Sequence, residues 1–109
     1  MNLDDYQKDA LKSVAITEKN LAALAHRTLG LTGESGQVAN MVKKIIRDKA
    51  GAATTEDIEA ITEKLGDALY YVAVLSEFFG KDLSEVAAAN LAKSQAFLEA
   101  RAQAKKLEE

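Results

Sequence analysis

The sequence predicts an all-α fold, a four-helix, bundle-like domain completed by oligomerisation. Three observations carry that expectation. Proline is absent and glycine supplies only 6 of 109 residues, so little interrupts a helix. Apolar residues recur at spacings of three and four along four separate stretches, the period of amphipathic helices. Short polar connections divide the stretches, and two of these connections carry helix-start signals.

Taken in order, Leu3, Tyr6, Ala10 and Val14 mark a first helix over residues 3–16, with Asn2 as its N-cap. Residues 17–20 are polar and read as a turn. Leu21, Leu24, Thr28, Leu31, Val38, Val42 and Ile45 then set the period of a second helix over residues 20–48. Gly30, Gly33 and Gly36 fall inside it, each about 1 kcal/mol less favourable than alanine there. Their spacing leaves a strip without side chains, which admits either a closely packed neighbouring helix or a ligand. Residues 49–55 form a connection around Gly51, and Thr54-Thr55-Glu56-Asp57 offers a capping box for a third helix. That helix carries Ile58, Ile61, Leu65, Leu69, Val72 and Leu75, and Phe78 and Phe79 close it before Gly80. Asp82-Leu83-Ser84-Glu85 is a second start signal. The fourth helix presents Leu83, Val86, Ala87, Leu91, Phe97 and Leu98 and then dissolves into a charged tail over residues 105–109. Short connections predict antiparallel neighbours, with leftover apolar surface meeting a second subunit.

Composition excludes several functions. With 48% apolar and 28% charged residues, the chain reads as one folded domain over residues 1–109. A net charge of −3 gives no electrostatic footprint for duplex nucleic acid. The absence of cysteine removes disulfides and thiolate metal sites. No stretch approaches the roughly 20 apolar residues of a membrane span, and no apolar targeting run follows Met1, so the expected location is cytoplasmic, away from membranes.

Two stretches carry chemistry. Glu34 and Gln37 are three apart on the second helix, while Glu63, Lys64 and Asp67 lie within about one turn on the third. Each set interrupts an apolar pattern, so its side chains point toward whatever that face buries. Carboxylates aimed at a helical core need a counter-charge, and magnesium, which takes oxygen ligands and keeps several waters, is one candidate. Glu34 and Asp67 are best placed to face each other. Against this stands the ordinary reading of helical acids as solvated outer-face charges.

The run Leu31-Thr32-Gly33-Glu34-Ser35-Gly36-Gln37-Val38, followed by Glu63-Lys64-Leu65-Gly66-Asp67-Ala68-Leu69-Tyr70-Tyr71, resembles the MazG-like all-α nucleoside triphosphate pyrophosphohydrolases. Asn90-Leu91-Ala92-Lys93 is similar to that family's Asn-x-x-Lys near the start of the last helix. The resemblance implies a magnesium-dependent hydrolase that splits a nucleoside triphosphate between its α- and β-phosphates, and it spans residues 24–93. It also implies a metal site of four acids, Glu-x-x-Glu and Glu-x-x-Asp. This chain instead has Glu34-x-x-Gln37 and Lys64-x-x-Asp67. Gln37 still offers a carbonyl oxygen, Glu63 is a possible substitute acid, and a charged Lys64 has no lone pair to give a metal. Lys64 is therefore expected to neutralise Glu34 or Asp67 as a salt bridge in place of metal charge, leaving a weakened enzyme or a non-catalytic nucleotide-binding or assembly subunit. The implied substrate contact is Tyr71, and Asn90 and Lys93 suit phosphate, with a solvated helix lysine an equal reading of Lys93; by position alone, Lys43 and Lys44 beyond Glu34 could reach a phosphate tail, with at least one of them expected at the surface. Tyr71 has an equal claim as a core residue, and Asn90 is expected on a buried face. His26, the only histidine, has no relay partner in the sequence and reads as structural or exposed. A homodimer or homotetramer is the expected assembly.

Overall fold

The computed structural model describes residues 1–108 and contains, among them, four α-helices and no strand. They are α1 (Leu3–Ala10), α2 (Leu21–Lys49), α3 (Thr55–Phe78) and α4 (Leu83–Glu108). The all-α expectation holds, but α4 does not dissolve at residue 105: it continues through the charged residues to Glu108, and residue 109 lies outside the described residues.

The helix starts form for the reasons their sequences suggest. Asn2 accepts the Asp5 N–H at 2.8 Å, and Asn20 accepts the Ala23 N–H at 2.9 Å. At Thr54 a full capping box forms: its hydroxyl accepts the Asp57 N–H, and the Asp57 carboxylate accepts the Thr54 N–H. Lys49 also reaches Asp57 at 2.7 Å, tying the end of α2 to the start of α3, and Lys49 followed by Thr54 holds the Asp57 carboxyl below its ordinary range. The turn between them places Ala50 at φ 52° and Gly51 at φ 86°, so the left-handed position that usually falls to glycine is shared with an alanine.

The first helix is shorter than its apolar period predicts. It ends at Ala10, a single 3₁₀ turn follows over Leu11–Ser13, and Val14 is extended. Ser13 explains part of the early stop, because its hydroxyl donates back to the Ala10 carbonyl and competes with helix continuation. The released strand-like segment carries the Ile16 carbonyl to Arg27.

Polar side chains, more than large apolar ones, lock these elements together. Arg27 is only 3% exposed. Its Nη1 donates to the Val74 carbonyl at 2.7 Å and to Glu77 Oε2 at 3.0 Å, while Nη2 donates to Ile16. Lys19 adds a second cation on Glu77. Gln7 does the corresponding work at the other side of α3: its Nε2 donates to the carbonyls of Ala73 and Lys81, and its Oε1 accepts the Leu83 N–H. Asp4 then accepts both the N–H and the hydroxyl of Ser84. Two orphan donors at the start of α4 are thus satisfied from α1, with a carboxylate at the positive end of the helix dipole.

The apolar core is thin. Among the described residues it consists of Ala10, Ala23, Ile45, Ala73, Val74 and Leu83. α2 and α3 form a close antiparallel hairpin, α1 covers one side of α3, and α4 packs through its first turns. From Ala88 onward every described residue of α4 is exposed, including Leu91, Phe97 and Leu98. The radius of gyration is 18.0 Å, against roughly 13 Å for a closed domain of about 100 residues. Asn90, expected on a buried face, is exposed for this reason.

Arg27→Ala should lower unfolding stability by about 3 kcal/mol, because it strands a carbonyl and a carboxylate that the guanidinium now satisfies; urea denaturation measures this. Burial raises the Glu77 pKa, but Lys19 and Arg27 together outweigh it and hold the carboxyl below the ordinary glutamate range. Its stabilising contribution is therefore present above the unfolded-state pKa and is lost as pH falls through the folded-state value. Glu77→Gln should flatten the acid-side fall of stability measured by denaturant midpoint against pH.

Candidate functional site

The acidic stretches of α2 and α3 face each other across the hairpin. Gly30 makes this approach possible. A β-carbon at residue 30 would collide with the ring of Tyr71, so Tyr71 lies directly against the α2 backbone. His26 at 6.3 Å and the edge-on ring of Tyr70 at 5.1 Å hem that ring in. Gly33 and Gly36 meet nothing within 4 Å, so of the two uses open to the glycine strip, close packing accounts for Gly30 alone.

One turn beyond the Gly30 contact, Glu34 and Asp67 are bridged by a cation. The Lys64 ammonium stands 3.4 Å from Glu34 Oε2 and 3.6 Å from Asp67 Oδ2. Side-chain exposure rises from 20% for Glu34 through 29% for Lys64 to 45% for Asp67. Glu34 Oε2 is buried and has no hydrogen-bond partner. The Glu34 carboxylate, with Asp67 adding to it, raises the Lys64 pKa, so the ammonium stays charged across the physiological range.

The other candidates are distributed more widely. Gln37 and Glu63 are exposed. Lys44 lies toward the turn end of the hairpin, where with Met41, Ile45, Asp48, Lys49, Asp57 and Ile61 it lines a separate groove of about 270 Å³. Asn90 and Lys93 line a shallow groove on α4 itself with Ser94, Phe97 and Leu98. No α2 or α3 residue shares that groove, so within one chain these two are not brought to the acids. Tyr71 and the exposed His26 border a small cleft of about 10 Å³, room for roughly one water, beside Val14, Ile16 and Arg27.

One neighbour of the acids escaped the sequence reading. The spacing of Tyr6 puts it in the apolar stripe of the first helix, yet burial, then Tyr70 and Asp67, raise its hydroxyl pKa. It thus lies within electrostatic reach of Asp67. Sixty-one positions separate the two in the chain, and no local spacing signals such a meeting.

Magnesium requires oxygen ligands in a near-octahedral shell at about 2.0–2.1 Å. Here two carboxylates converge, and an ammonium with three donors and no acceptor already stands between them. Among the described residues no three His, Cys, Asp or Glu side chains gather in a metal-holding group. As arranged, the residues do not fit a resident magnesium ion.

Two acids, Glu34 and Asp67, thus meet around Lys64 between α2 and α3, and the comparison with known families covers this segment. Residues 23–97 match the MazG nucleotide pyrophosphohydrolase domain, and the chain belongs to this family. It is also similar to the Gene 37 protein of Mycobacterium phage L5, at 43% identity over 76 residues, which is 70% of this chain and 67% of that protein. No solved structure matches the chain. Enzymes of the family are generally metal-dependent. No helix among the described residues is long and apolar enough to cross a membrane.

Gly30→Ala should destabilise the protein by roughly 1–3 kcal/mol through overpacking against Tyr71. Gly33→Ala, with open space around it, should stabilise by roughly 0.5–1 kcal/mol through the gain in helix propensity. Paired urea titrations separate the two expectations by sign.

Proposed function

We propose that the chain binds nucleoside triphosphates beside Glu34, Lys64 and Asp67 and cleaves them between the α- and β-phosphates, giving a nucleoside monophosphate and pyrophosphate. The observation that carries this reading is the convergence of those three side chains from two helices, inside the segment shared with the family. In the reaction a water oxygen bonds to the α-phosphorus, the bond from that phosphorus to the bridging oxygen breaks, and pyrophosphate leaves. Asp67, the more open carboxylate, takes the water's proton. Glu34, the less exposed of the two, fixes the Lys64 ammonium, whose charge offsets that of the phosphates. Magnesium reaching the site as the counter-ion of the triphosphate is part of the substrate. Gln37 and Lys64, standing where the family's pattern has acids, hold turnover low.

Lys64 also favours a second reading, a non-catalytic nucleotide-binding or assembly subunit. Pyrophosphate release from a panel of nucleoside triphosphates, with and without magnesium, decides between them. The first reading expects release that Asp67→Asn lowers by about 100-fold or more. A nucleotide-dependent rise in melting temperature without release supports the second. Neither effect would overturn both.

We further infer a homodimer or homotetramer. Support comes from the uncovered apolar side chains: Leu65, Leu69 and Phe79 on α3, Val42 and Ile46 on α2, and Leu91, Phe97 and Leu98 on α4, with Phe97 61% exposed. Uncovered apolar surface on this scale is the mark of an interaction face. Sedimentation should find more than one copy per particle, and Phe97→Glu combined with Leu98→Glu should reduce the particle toward one.

A further inference from the structure

We propose that the Glu34–Asp67 pair is a latent divalent-cation site which the Lys64 side chain keeps closed. The inference extends beyond the nucleotide reading and stands whether or not the protein hydrolyses anything.

Charge balance is the first argument. Two carboxylates on different helices share one ammonium, at 3.4 and 3.6 Å, so the group carries a net charge of about −1. Without the ammonium the same two acids would face each other uncompensated, a state that favours either a dication or the uptake of a proton. The second argument is Glu34 itself. Its buried Oε2 makes no well-formed hydrogen bond, and the Lys64 ammonium at 3.4 Å is the group that meets its charge. A buried charged oxygen without hydrogen bonds is strongly disfavoured, and the neighbouring cation offsets it. Such an oxygen is also free to ligate, because nothing would have to be displaced from it except Lys64.

The position of Lys64 supplies the third argument. Its side chain is mostly covered and lies one turn before Asp67 on α3, so the ammonium fills the space between the acids. A shorter neutral side chain there would leave a gap bounded by carboxylate oxygens. A glutamate there would add a third acid, and oxygen-rich gaps of that kind suit hard divalent ions.

The test titrates Mn²⁺ and Mg²⁺ into the full chain by calorimetry, with melting temperature as a second readout, for the unmodified protein and for Lys64→Gln, Lys64→Glu and Lys64→Arg. The unmodified protein and Lys64→Arg should bind no more tightly than about millimolar, since both keep the blocking charge. Lys64→Gln and Lys64→Glu should bind about tenfold or more tightly than the unmodified protein, with a metal-dependent rise in melting temperature. Adding Glu34→Gln to Lys64→Glu should abolish the gain, which locates it at the pair. If the neutral or acidic variants are unfolded without metal, refolding on addition of Mn²⁺ supports the proposal and failure to refold overturns it. Sub-millimolar binding by the unmodified protein that Glu34→Gln removes, or folded variants with no gain, would also overturn it. None of these readouts involves nucleotide, so this inference and the reaction proposed above can fail separately.

Discussion

The structure depends on a buried guanidinium. Arg27 joins α2 to α3 through the Val74 carbonyl and Glu77, and joins both to the segment before α2 through Ile16. Because a helical hairpin advances equally on its two antiparallel strands of contact, one fixed pair sets all the others. Three residues forward from Arg27 is Gly30, and three back from Val74 is Tyr71, its packing partner. Seven forward is Glu34 and seven back is Asp67, the two acids that share Lys64. The guanidinium therefore holds the acids opposite one another from two turns away. A slip of one residue would swing each acid by about 100° on its helix.

Small side chains make this geometry hold. Ala23, Ala73 and Val74 are fully buried, and Gly30 admits a tyrosine ring against its backbone. Interfaces of this kind bring helices close together and bury little apolar area per residue. The polar bonds of Gln7 and Arg27 then add to a core that is modest for a chain of this length, while they specify a single arrangement. Buried polar groups contribute specificity through such bonds, three from the Gln7 amide and three from the Arg27 guanidinium.

Legibility in the sequence followed the range of the interactions. Local ones could be read directly: the caps at Asn2 and Thr54 and the helix periods of α2 and α3 depend on residues three or four apart. The end of α1 could not be, because Val14 and Ile16 continue an apolar period while their backbone is drawn off to meet Arg27. Gln7 and Arg27 carry no sign of burial, since their partners are carbonyls 66 and 47 positions away. At the site, the facing of Glu34 and Asp67 and the bridging charge of Lys64 were expected from spacing and resemblance. Asn90 and Lys93 are expected at the substrate from resemblance, and Asn90 also from its place on an apolar face, but the single chain holds them on the uncovered length of α4, apart from the acids.

The bonds that aim α4 have a further consequence. Asp4 and Gln7, which receive its first N–H groups, precede the segment shared with the family, whereas Glu34, Lys64 and Asp67 fall within it. The acceptors that aim the C-terminal arm thus lie outside the family segment, while the groups they hold, Leu83 and Ser84, lie within it. Substitutions near the N-terminus can re-aim the arm, and with it the geometry of any assembly, while the acid pair is inherited intact.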